Sequence, residues 1–221
     1  MKRINIAIDG PAGSGKTSTA KQLAKLLGYT YIDTGAMYRA VALSWKRTGK
    51  ELNDEILASL MDSINIKLIY KGDELMIFLN GEDVSEQIRT PDISKLSSDI
   101  SAFSCVREKL VEQQRELAKN RGTVLEGRDI GTIVLPDAEL KVFLTASIDE
   151  RAKRRQKELL AKKIIIPYEE LRKQIEERDY NDSHRSHSPL KRAEDAIEID
   201  TSALSLESQI ALIAQLAQDR I

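Results

Sequence analysis

Short apolar runs alternate along the chain with segments in which apolar residues recur every three or four positions. The helical spacing is clear between Ser18 and Leu27, where Ala20, Leu23 and Ala24 fall on one face with Leu27. Helical patterns of this kind separate most of the apolar runs, which is typical of strands joined by helices in a parallel sheet. We therefore predict an α/β fold whose five-stranded parallel sheet is flanked by helices, with strands at residues 4–8, 29–33, 123–126, 140–145 and 196–200.

One segment departs from this frame, because its apolar residues alternate with polar ones. The alternation at residues 64–70 predicts one strand, and a turn at 71–73 leads to a second strand at 75–79. Asn80-Gly81 then gives a strong hairpin signal before a short third strand. We predict that residues 64–86 form a small antiparallel sheet inserted into the α/β frame. The alternative is that two of these strands belong to the main sheet.

Composition limits the class of protein. With 221 residues the chain can bury a substantial core, and we expect residues 1–221 to form a single domain. Its 34 Lys and Arg residues balance 35 Asp and Glu residues, so the net charge of −1 implies no general attraction to nucleic acid. The first apolar run ends at Asp9, too early for a secretory signal, and no run approaches a membrane-spanning length. Cys105 is the single cysteine, which excludes an intrachain disulfide and fits a reducing compartment. We expect a cytoplasmic monomer that binds neither nucleic acid nor membrane.

The most specific motif is a glycine-rich turn between the first predicted strand and the first predicted helix. Residues 10–17 read Gly-Pro-Ala-Gly-Ser-Gly-Lys-Thr and match the Gly-x-x-x-x-Gly-Lys-[Ser/Thr] phosphate loop at every position. The backbone N–H groups at such a helix start have no partner within the helix and bind phosphate. Lys16 is expected to reach the β- and γ-phosphates of a nucleoside triphosphate, and the Thr17 hydroxyl to ligate Mg²⁺. The predicted triphosphate-binding residues are Gly10, Pro11, Ala12, Gly13, Ser14, Gly15, Lys16, Thr17 and Ser18.

A basic stretch in the second half of the chain is the next candidate feature. Residues 151–163 hold seven Lys or Arg against one Glu, a second arginine-bearing segment follows at 178–185, and residues 164–168 would join the two. Phosphoryl transfer depends on charge stabilisation and on excluding water, so we predict an arginine-rich helical lid over residues 151–187. A solvated surface helix is the alternative for the first stretch taken alone. The side chains at helical spacing are Arg151, Arg154 and Arg155, which would share one face, and then Arg178, Asp182 and Arg185.

Four stretches carry a resemblance to a known family. They read Asp-Gly-Pro-Ala-Gly-Ser-Gly-Lys-Thr at 9–17, Asp-Thr-Gly-Ala-Met-Tyr-Arg at 33–39, Glu-Gly-Arg-Asp-Ile-Gly-Thr at 126–132 and Glu-Arg-Asp-Tyr-Asn-Asp at 177–182. With these stretches the chain resembles the bacterial cytidylate kinases from end to end. The resemblance implies a P-loop kinase that transfers the γ-phosphoryl of MgATP directly to CMP or dCMP. It also implies a nucleoside-monophosphate-binding region at 34–107 that contains the 64–86 sheet.

The resemblance further implies roles for individual residues. Arg39, Arg128 and Arg178 would hold the acceptor phosphate, and an arginine fork suits a phosphate dianion because it donates two parallel hydrogen bonds. Ser98, Arg107 and Asp129 would read the base, since cytosine offers an amino donor at N4 beside acceptors at N3 and O2. The other implied contacts are Thr34 near the base, Asp182 and Arg185 at the ribose and, for the transfer itself, Lys16, Arg128, Arg178, Arg151, Arg154 and Arg155.

Some features leave alternatives open. No run of four apolar residues followed by Asp marks a metal ligand, and Glu126 is expected to act at most through water. Asn181 stands where many relatives carry arginine, which leaves open the roles of the separate lid arginines. Thr34 could simply begin a helix. A kinase for UMP, dTMP or shikimate, a phosphate-loop switch and an ATP-dependent nucleic-acid-binding factor are the alternative functions, although the chain has no Asn-Lys-x-Asp guanine motif.

Overall fold

The computed structural model describes residues 2–72 and 74–221, so Asp73 of the predicted turn lies outside the described residues. The chain divides into two compact units. The first unit combines the chain up to Tyr31 with Asn120–Ile221, and the second unit is Ile32–Lys119. The predicted region at 34–107 falls within the second unit and the predicted lid at 151–187 within the first. The roles of these two regions stay predictions.

The described residues form eight strands in two sheets. The strands are β1 (Asn5–Asp9), β2 (Thr30–Asp33), β3 (Ile66–Lys71), β4 (Glu74–Leu79), β5 (Glu82–Asp83), β6 (Thr123–Gly127), β7 (Leu140–Thr145) and β8 (Ile197–Asp200). The main sheet has the order β2-β6-β1-β7-β8, in which β1 is parallel to β6 and β7, and β7 is parallel to β8. The five apolar runs coincide with its strands, so the predicted parallel sheet is confirmed.

The small sheet lies within the second unit and is antiparallel, with the order β3-β4-β5. Asn80 and Gly81 both have positive φ, 52° and 85°, as a tight hairpin turn between β4 and β5 requires. The predicted insert is therefore confirmed, and the alternative that two of its strands join the main sheet is wrong.

Local capping explains where the helices near the loops begin and end. Gly15 and Gly28 bracket the first helix in the left-handed conformation, with φ of 94° and 64°. The Asp33 side chain accepts a hydrogen bond from the backbone N–H of Ala36 and so caps a helix that begins at Thr34. Among the helices that the structure describes, none is both long and apolar enough to cross a bilayer. These helices are α1 (Lys16–Leu27), α2 (Thr34–Thr48), α3 (Asp54–Ser63), α4 (Pro91–Ile100), α5 (Ser104–Ala118), α6 (Ile148–Ala161), α7 (Tyr168–His184) and α8 (Leu206–Gln218), with a 3₁₀ turn at Gln87–Arg89 and a π-helical turn at Ile130–Val134.

Each unit buries apolar side chains of its own. In the first unit, Ile6 and Ile8 of β1 are completely buried, and β1 lies between β6 and β7 and pairs with both. In the second unit, Met37, Val41 and Ile77 belong to a cluster built from α2, the small sheet, α4 and α5. Burying a side chain of this size stabilises a fold by about 1.5–3 kcal/mol. The first unit thus supports the glycine-rich turn after β1 on a rigid strand.

Candidate active site

The glycine-rich turn has the backbone geometry of a phosphate loop. Gly13 and Gly15 have φ of 77° and 94°, values that favour glycine. Gly10 has φ of 147°, and a Cβ there would lie 2.1 Å from the carbonyl oxygen of Leu144, so the turn packs against β7 with no room for a side chain. The first turn of α1 carries no acidic side chain, and its N-terminus is therefore suited to an anion. Thr17 and Ser18 are exposed on this turn.

Lys16 is buried over the turn that it follows. Its Nζ donates to the carbonyl oxygen of Pro11 at 2.6 Å and lies 3.4 Å from the Ser14 hydroxyl. Burial lowers the pKa of Lys16 well below its ordinary value, the nearby charge of Arg128 lowers it further, and the Glu126 carboxylate opposes both. Glu126 is itself buried and accepts a hydrogen bond from the Tyr31 hydroxyl at 2.6 Å. A cation and a carboxylate thus lie close together beside the loop.

A cluster of arginines surrounds Asp182 of α7. Arg128 Nε, from the turn after β6, donates to Asp182 Oδ2 at 2.8 Å, and Arg178 Nε lies 4.0 Å from the same oxygen. Burial alone would raise the pKa of Asp182, but the charges of Arg128 and Arg178 outweigh it, and the pKa is lowered. Arg185 directly follows α7, and its Nη2 lies 3.9 Å from Asp129 Oδ1. The carboxylates of Asp182 and Asp129 therefore lie close to several cations within the first unit.

The lid arginines do not all behave alike. Arg151 Nη1 donates to the carbonyl oxygen of Ala12 at 3.2 Å and to Asp179 Oδ2 at 2.5 Å. Arg154 Nη1 lies 3.4 Å from the carbonyl oxygen of Gly13. The structure thus brings two of the three side chains to the phosphate loop.

Arg155 forms an ion pair within its own helix. Its Nη1 pairs with Glu158 Oε2 at 3.2 Å, three residues along the same helix. The pairing is local, and the Arg155 side chain is more exposed than the Arg151 side chain. A direct contact of Arg155 with substrate stays a prediction.

The predicted base-reading residues lie in the second unit, apart from Asp129. Arg107 is buried, donates from Nη1 to the carbonyl oxygen of Ser101 at 3.1 Å, and lies over the Tyr38 ring with 5.5 Å between Cζ and the ring centroid. Stacking and hydrogen bonding of this kind hold a guanidinium in a fixed direction. Ser98 is half-buried on α4, and its carbonyl oxygen accepts from the Ser101 hydroxyl at 2.7 Å.

Thr34 and Arg39 lie together on α2 in the same unit. Thr34 is buried as the first residue of the helix, so it does begin a helix, while the capping side chain belongs to Asp33. Arg39 Nη2 donates to Asp33 Oδ2 at 2.9 Å. One carboxylate therefore both caps α2 and orients the arginine that is predicted to hold phosphate.

Two residues with a place in this geometry were not predicted from the sequence. Asp9, the last residue of β1, accepts from the backbone N–H groups of Ile130 and Gly131 at 2.9 and 2.8 Å. Burial raises its pKa to about 6, against the effect of these two hydrogen bonds. A carboxylate that ends an apolar strand was a signal that could have identified it.

The second such residue is Thr201, which follows β8 and is completely buried. Its Oγ1 lies 3.0 Å from the carbonyl oxygen of Ser14 and accepts a hydrogen bond from Arg154 Nη1 at 3.0 Å. Arg154 Nη2 also donates to the Thr201 carbonyl oxygen at 2.6 Å. No motif in the sequence marks this threonine.

The chain is similar to known proteins over nearly its whole length. A family model described as cytidylate kinase matches residues 6–219. A cytidylate kinase of Ligilactobacillus salivarius (strain UCC118) is 48% identical over 221 residues, which cover 100% of this chain and 99% of that relative. A cytidylate kinase of Caldicellulosiruptor saccharolyticus is 49% identical over 217 residues, covering 98% of this chain and 96% of the relative.

Among solved structures, a shikimate kinase from Bacteroides thetaiotaomicron has a TM-score of 0.52 at 14% identity, covering 98% of this chain and 99% of that one. This is a likeness of fold alone. The family match and the two relatives extend over nearly the whole sequence, and the chain belongs to the cytidylate kinase family.

Proposed function

We propose that the chain transfers the γ-phosphoryl group of ATP to CMP or dCMP, giving ADP and CDP or dCDP. One observation carries the proposal beyond the family match. Arg128 and Arg178, which the Asp182 carboxylate holds, lie near enough to Lys16 of the phosphate loop to depress its pKa. Cations for two different phosphate groups are thus neighbours in the first unit. Phosphoryl transfer between two nucleotides brings two negatively charged phosphate groups together, and nearby cations are needed to neutralise their charge.

The donor nucleotide is bound by the loop from Gly10 to Ser18. Backbone N–H groups at the start of α1 hold its phosphates, and Lys16 moves its Nζ from the Pro11 carbonyl oxygen to the β- and γ-oxygens. Arg151 and Arg154, already hydrogen-bonded to loop carbonyl oxygens, supply positive charge beside the transferred group.

Magnesium fits this donor site as a partner of the nucleotide. The described residues include no group of three or more His, Cys, Asp or Glu side chains that could hold a metal ion. The exposed Thr17 hydroxyl is the ligand that the chain offers, and Mg²⁺ commonly binds with few protein ligands, several waters and the substrate phosphates. When bound with ATP, Mg²⁺ supplies neutralisation of the β- and γ-oxygens.

The acceptor phosphate and ribose are bound by the arginine cluster. In this proposal Arg39, Arg128 and Arg178 hold the α-phosphate as forked donors. Asp182 and Arg185 contact the ribose. The acceptor side chains of the first unit are buried or half-buried before substrate arrives, so little side-chain freedom is lost on binding.

The base is read by Asp129, Arg107 and Ser98, with Thr34 nearby. The Asp129 carboxylate accepts from the cytosine amino group, and Arg107 donates to N3 or O2. Uracil presents an acceptor where cytosine presents a donor, so it would face the buried carboxylate without a hydrogen bond. Sites built on such hydrogen bonds reject the wrong analogue by orders of magnitude.

The transfer itself needs no covalent enzyme intermediate. An oxygen of the CMP phosphate attacks the γ-phosphorus, the bond from that phosphorus to the bridging oxygen breaks, and the electron pair leaves on the β-phosphate of ADP. The acceptor oxygen is already anionic, and no side chain has to act as a strong base. Alignment, charge neutralisation and exclusion of water by the α6–α7 lid account for the catalysis.

We further propose that the chain acts as a cytoplasmic monomer without nucleic-acid or membrane partners. Its balanced charge and single cysteine support this assignment. The alternative in acceptor choice is a kinase for another small acceptor such as UMP.

A panel of acceptors tests the function. ADP formation from ATP and Mg²⁺ is measured with CMP, dCMP, UMP, AMP and dTMP, each presented separately. Fast turnover confined to CMP and dCMP is expected. Turnover confined to UMP or another acceptor would contradict the assignment of the base-reading residues. No turnover with any acceptor would refute the proposal that the chain is a nucleotide kinase.

A further inference from the structure

A carboxylate outside the proposed substrate contacts joins the phosphate-loop strand to the acceptor-binding turn. The Asp9 side chain is buried, and each of its oxygens accepts one backbone N–H: Oδ1 from Ile130 at 2.9 Å and Oδ2 from Gly131 at 2.8 Å. These two N–H groups directly follow Arg128 and Asp129 in the chain. A two-oxygen contact with consecutive N–H groups fixes both the position and the tilt of that backbone.

The base of this contact is rigid. Asp9 is paired across the sheet on both sides, with Gly127 of β6 and Phe143 of β7. Gly10 follows at once, pressed against the carbonyl oxygen of Leu144 without space for a Cβ. The Asp9 carboxylate therefore leaves the strand from a fixed point immediately before the phosphate loop.

The turn that Asp9 holds is irregular and needs such support. Asp129 has φ of −144° and ψ of 25°, outside the main helical and extended regions, and a single π-helical turn follows it. The peptide between Asp129 and Ile130 carries the N–H that donates to Asp9, so its orientation sets where the Asp129 side chain leaves the backbone.

Gly131 allows the close approach. A Cβ at this position would lie 3.4 Å from Asp9 Oδ2 and 3.2 Å from Lys141 Cδ. Its lack of a side chain lets the backbone settle onto the carboxylate. A side chain larger than a methyl group here would displace the backbone from Asp9 without changing the charge of Asp9.

We infer that Asp9 is a positioning residue for acceptor specificity: it aligns the Asp129 carboxylate with the cytosine edge by holding the 129–131 backbone. The inference rests on the proposed function, in which Asp129 reads the base. Asp9 touches neither nucleotide in this scheme and acts through Asp129.

The test compares Asp9→Asn with a matched control. Asparagine has the same shape but a single acceptor oxygen, so its amide NH₂ would face one of the two backbone N–H groups and the turn would shift. The control is Thr123→Val, which removes a half-buried 2.8 Å hydrogen bond to Asn5 at the opposite end of β1 and β6. Steady-state kcat/KM is measured for CMP and UMP with both variants and the wild type, together with KM for ATP.

Asp9→Asn is expected to lower the CMP-to-UMP ratio of kcat/KM at least about tenfold, with KM for ATP changed less than about twofold. Thr123→Val should leave the ratio unchanged even where it lowers the melting temperature. A wild-type ratio in Asp9→Asn, or an equal loss of ratio in Thr123→Val, would overturn the inference while the proposed function stands. A wild-type protein that does not phosphorylate CMP would refute the proposed function, and the inference with it.

Gly131→Val is the second variant if Asp9→Asn does not fold. A Cβ at Gly131 would already be in contact with Asp9 Oδ2 and Lys141, so the larger valine side chain requires the backbone to move away from the carboxylate. The same loss of CMP-to-UMP ratio supports the inference, and a wild-type ratio overturns it.

Discussion

Replacing Asp182 by asparagine tests whether one carboxylate holds the arginine cluster together. The substitution keeps the shape of the side chain and removes its charge. The Asp182 side chain is 6% exposed. Its Oδ2 accepts a hydrogen bond from Arg128 Nε at 2.8 Å and lies 4.0 Å from Arg178 Nε. Breaking a buried ion pair by removing one partner costs about 3–5 kcal/mol. Because the Arg128 side chain keeps 19% of its surface exposed, water offsets part of this loss, and we expect about 2–3 kcal/mol.

This loss is large enough to measure as a change in melting temperature. For a chain of this length about 1 kcal/mol shifts the melting temperature by about 2–4 °C, so Asp182→Asn should melt about 5–10 °C below the wild type at neutral pH. Scanning calorimetry without nucleotide gives the value. Asp62→Asn is the matched control, since its 3.1 Å pair with Lys109 is exposed on both sides and is worth at most about 1 kcal/mol.

The contribution of Asp182 to stability depends on pH in a definite direction. The pKa of folded Asp182 is lowered below 3.8, so its contribution to stability is present above that pH and is lost as pH falls through the folded value. The difference in melting temperature between the wild type and Asp182→Asn should therefore become smaller at acidic pH. A melting temperature within about 1 °C of the wild type at neutral pH, or no larger a shift than that of Asp62→Asn, would refute the reasoning.

Four further predictions concern activity and pH. Asp129→Asn should lower the CMP-to-UMP ratio of kcat/KM by about 5- to 100-fold, and an unchanged ratio would remove it from base recognition. Lys16→Ala should slow single-turnover transfer by at least about 10²-fold without altering the circular dichroism spectrum; a near-wild-type rate would contradict its role. Arg154→Ala should lower kcat more than Arg155→Ala, because Arg154 contacts the phosphate loop whereas Arg155 pairs within its own helix; equal losses would count against this. Burial raises the pKa of Asp9 from 3.8 to about 6, so its stabilising contribution is complete in acid and is lost as pH rises through about 6. In urea titrations the unfolding free energy of the wild type relative to Asp9→Asn should fall by about 2 kcal/mol from pH 4.5 to 7, and a constant difference would rule out burial as the cause.

The parts of the fold that local pattern determines were predictable. Apolar runs coincide with the strands of the main sheet because a strand that is buried on both faces, such as the centre of β1, is rich in apolar residues. Asn80-Gly81 marked the hairpin because its geometry needs positive φ at both residues. The phosphate loop was predictable for the same reason, since its glycines occupy backbone conformations that other residues avoid.

The parts that depend on distant partners were not predictable. Asp9 meets Ile130 across 121 residues, and Thr201 meets Ser14 across 187, which one sequence does not reveal. Helical spacing predicted a shared face for Arg151 and Arg155 but did not reveal that the Arg155 guanidinium pairs with Glu158. Spacing predicts which face of a helix a residue occupies, whereas the nearest opposite charge decides where a long side chain ends.

The order of the strands has a consequence for synthesis on the ribosome. β1 is translated before its partner strand β6, because Asn5 pairs with Thr123, which follows it by 118 residues. At about 5–20 residues per second, the apolar strand waits about 6–24 s for β6 to be translated, and longer for β7. The second unit is continuous and has its own core, so it can fold during that interval. During that interval the nascent chain carries its future phosphate-loop strand as an unpaired, aggregation-prone segment, and the phosphate loop gains the support of β6 and β7 only after both strands have been made.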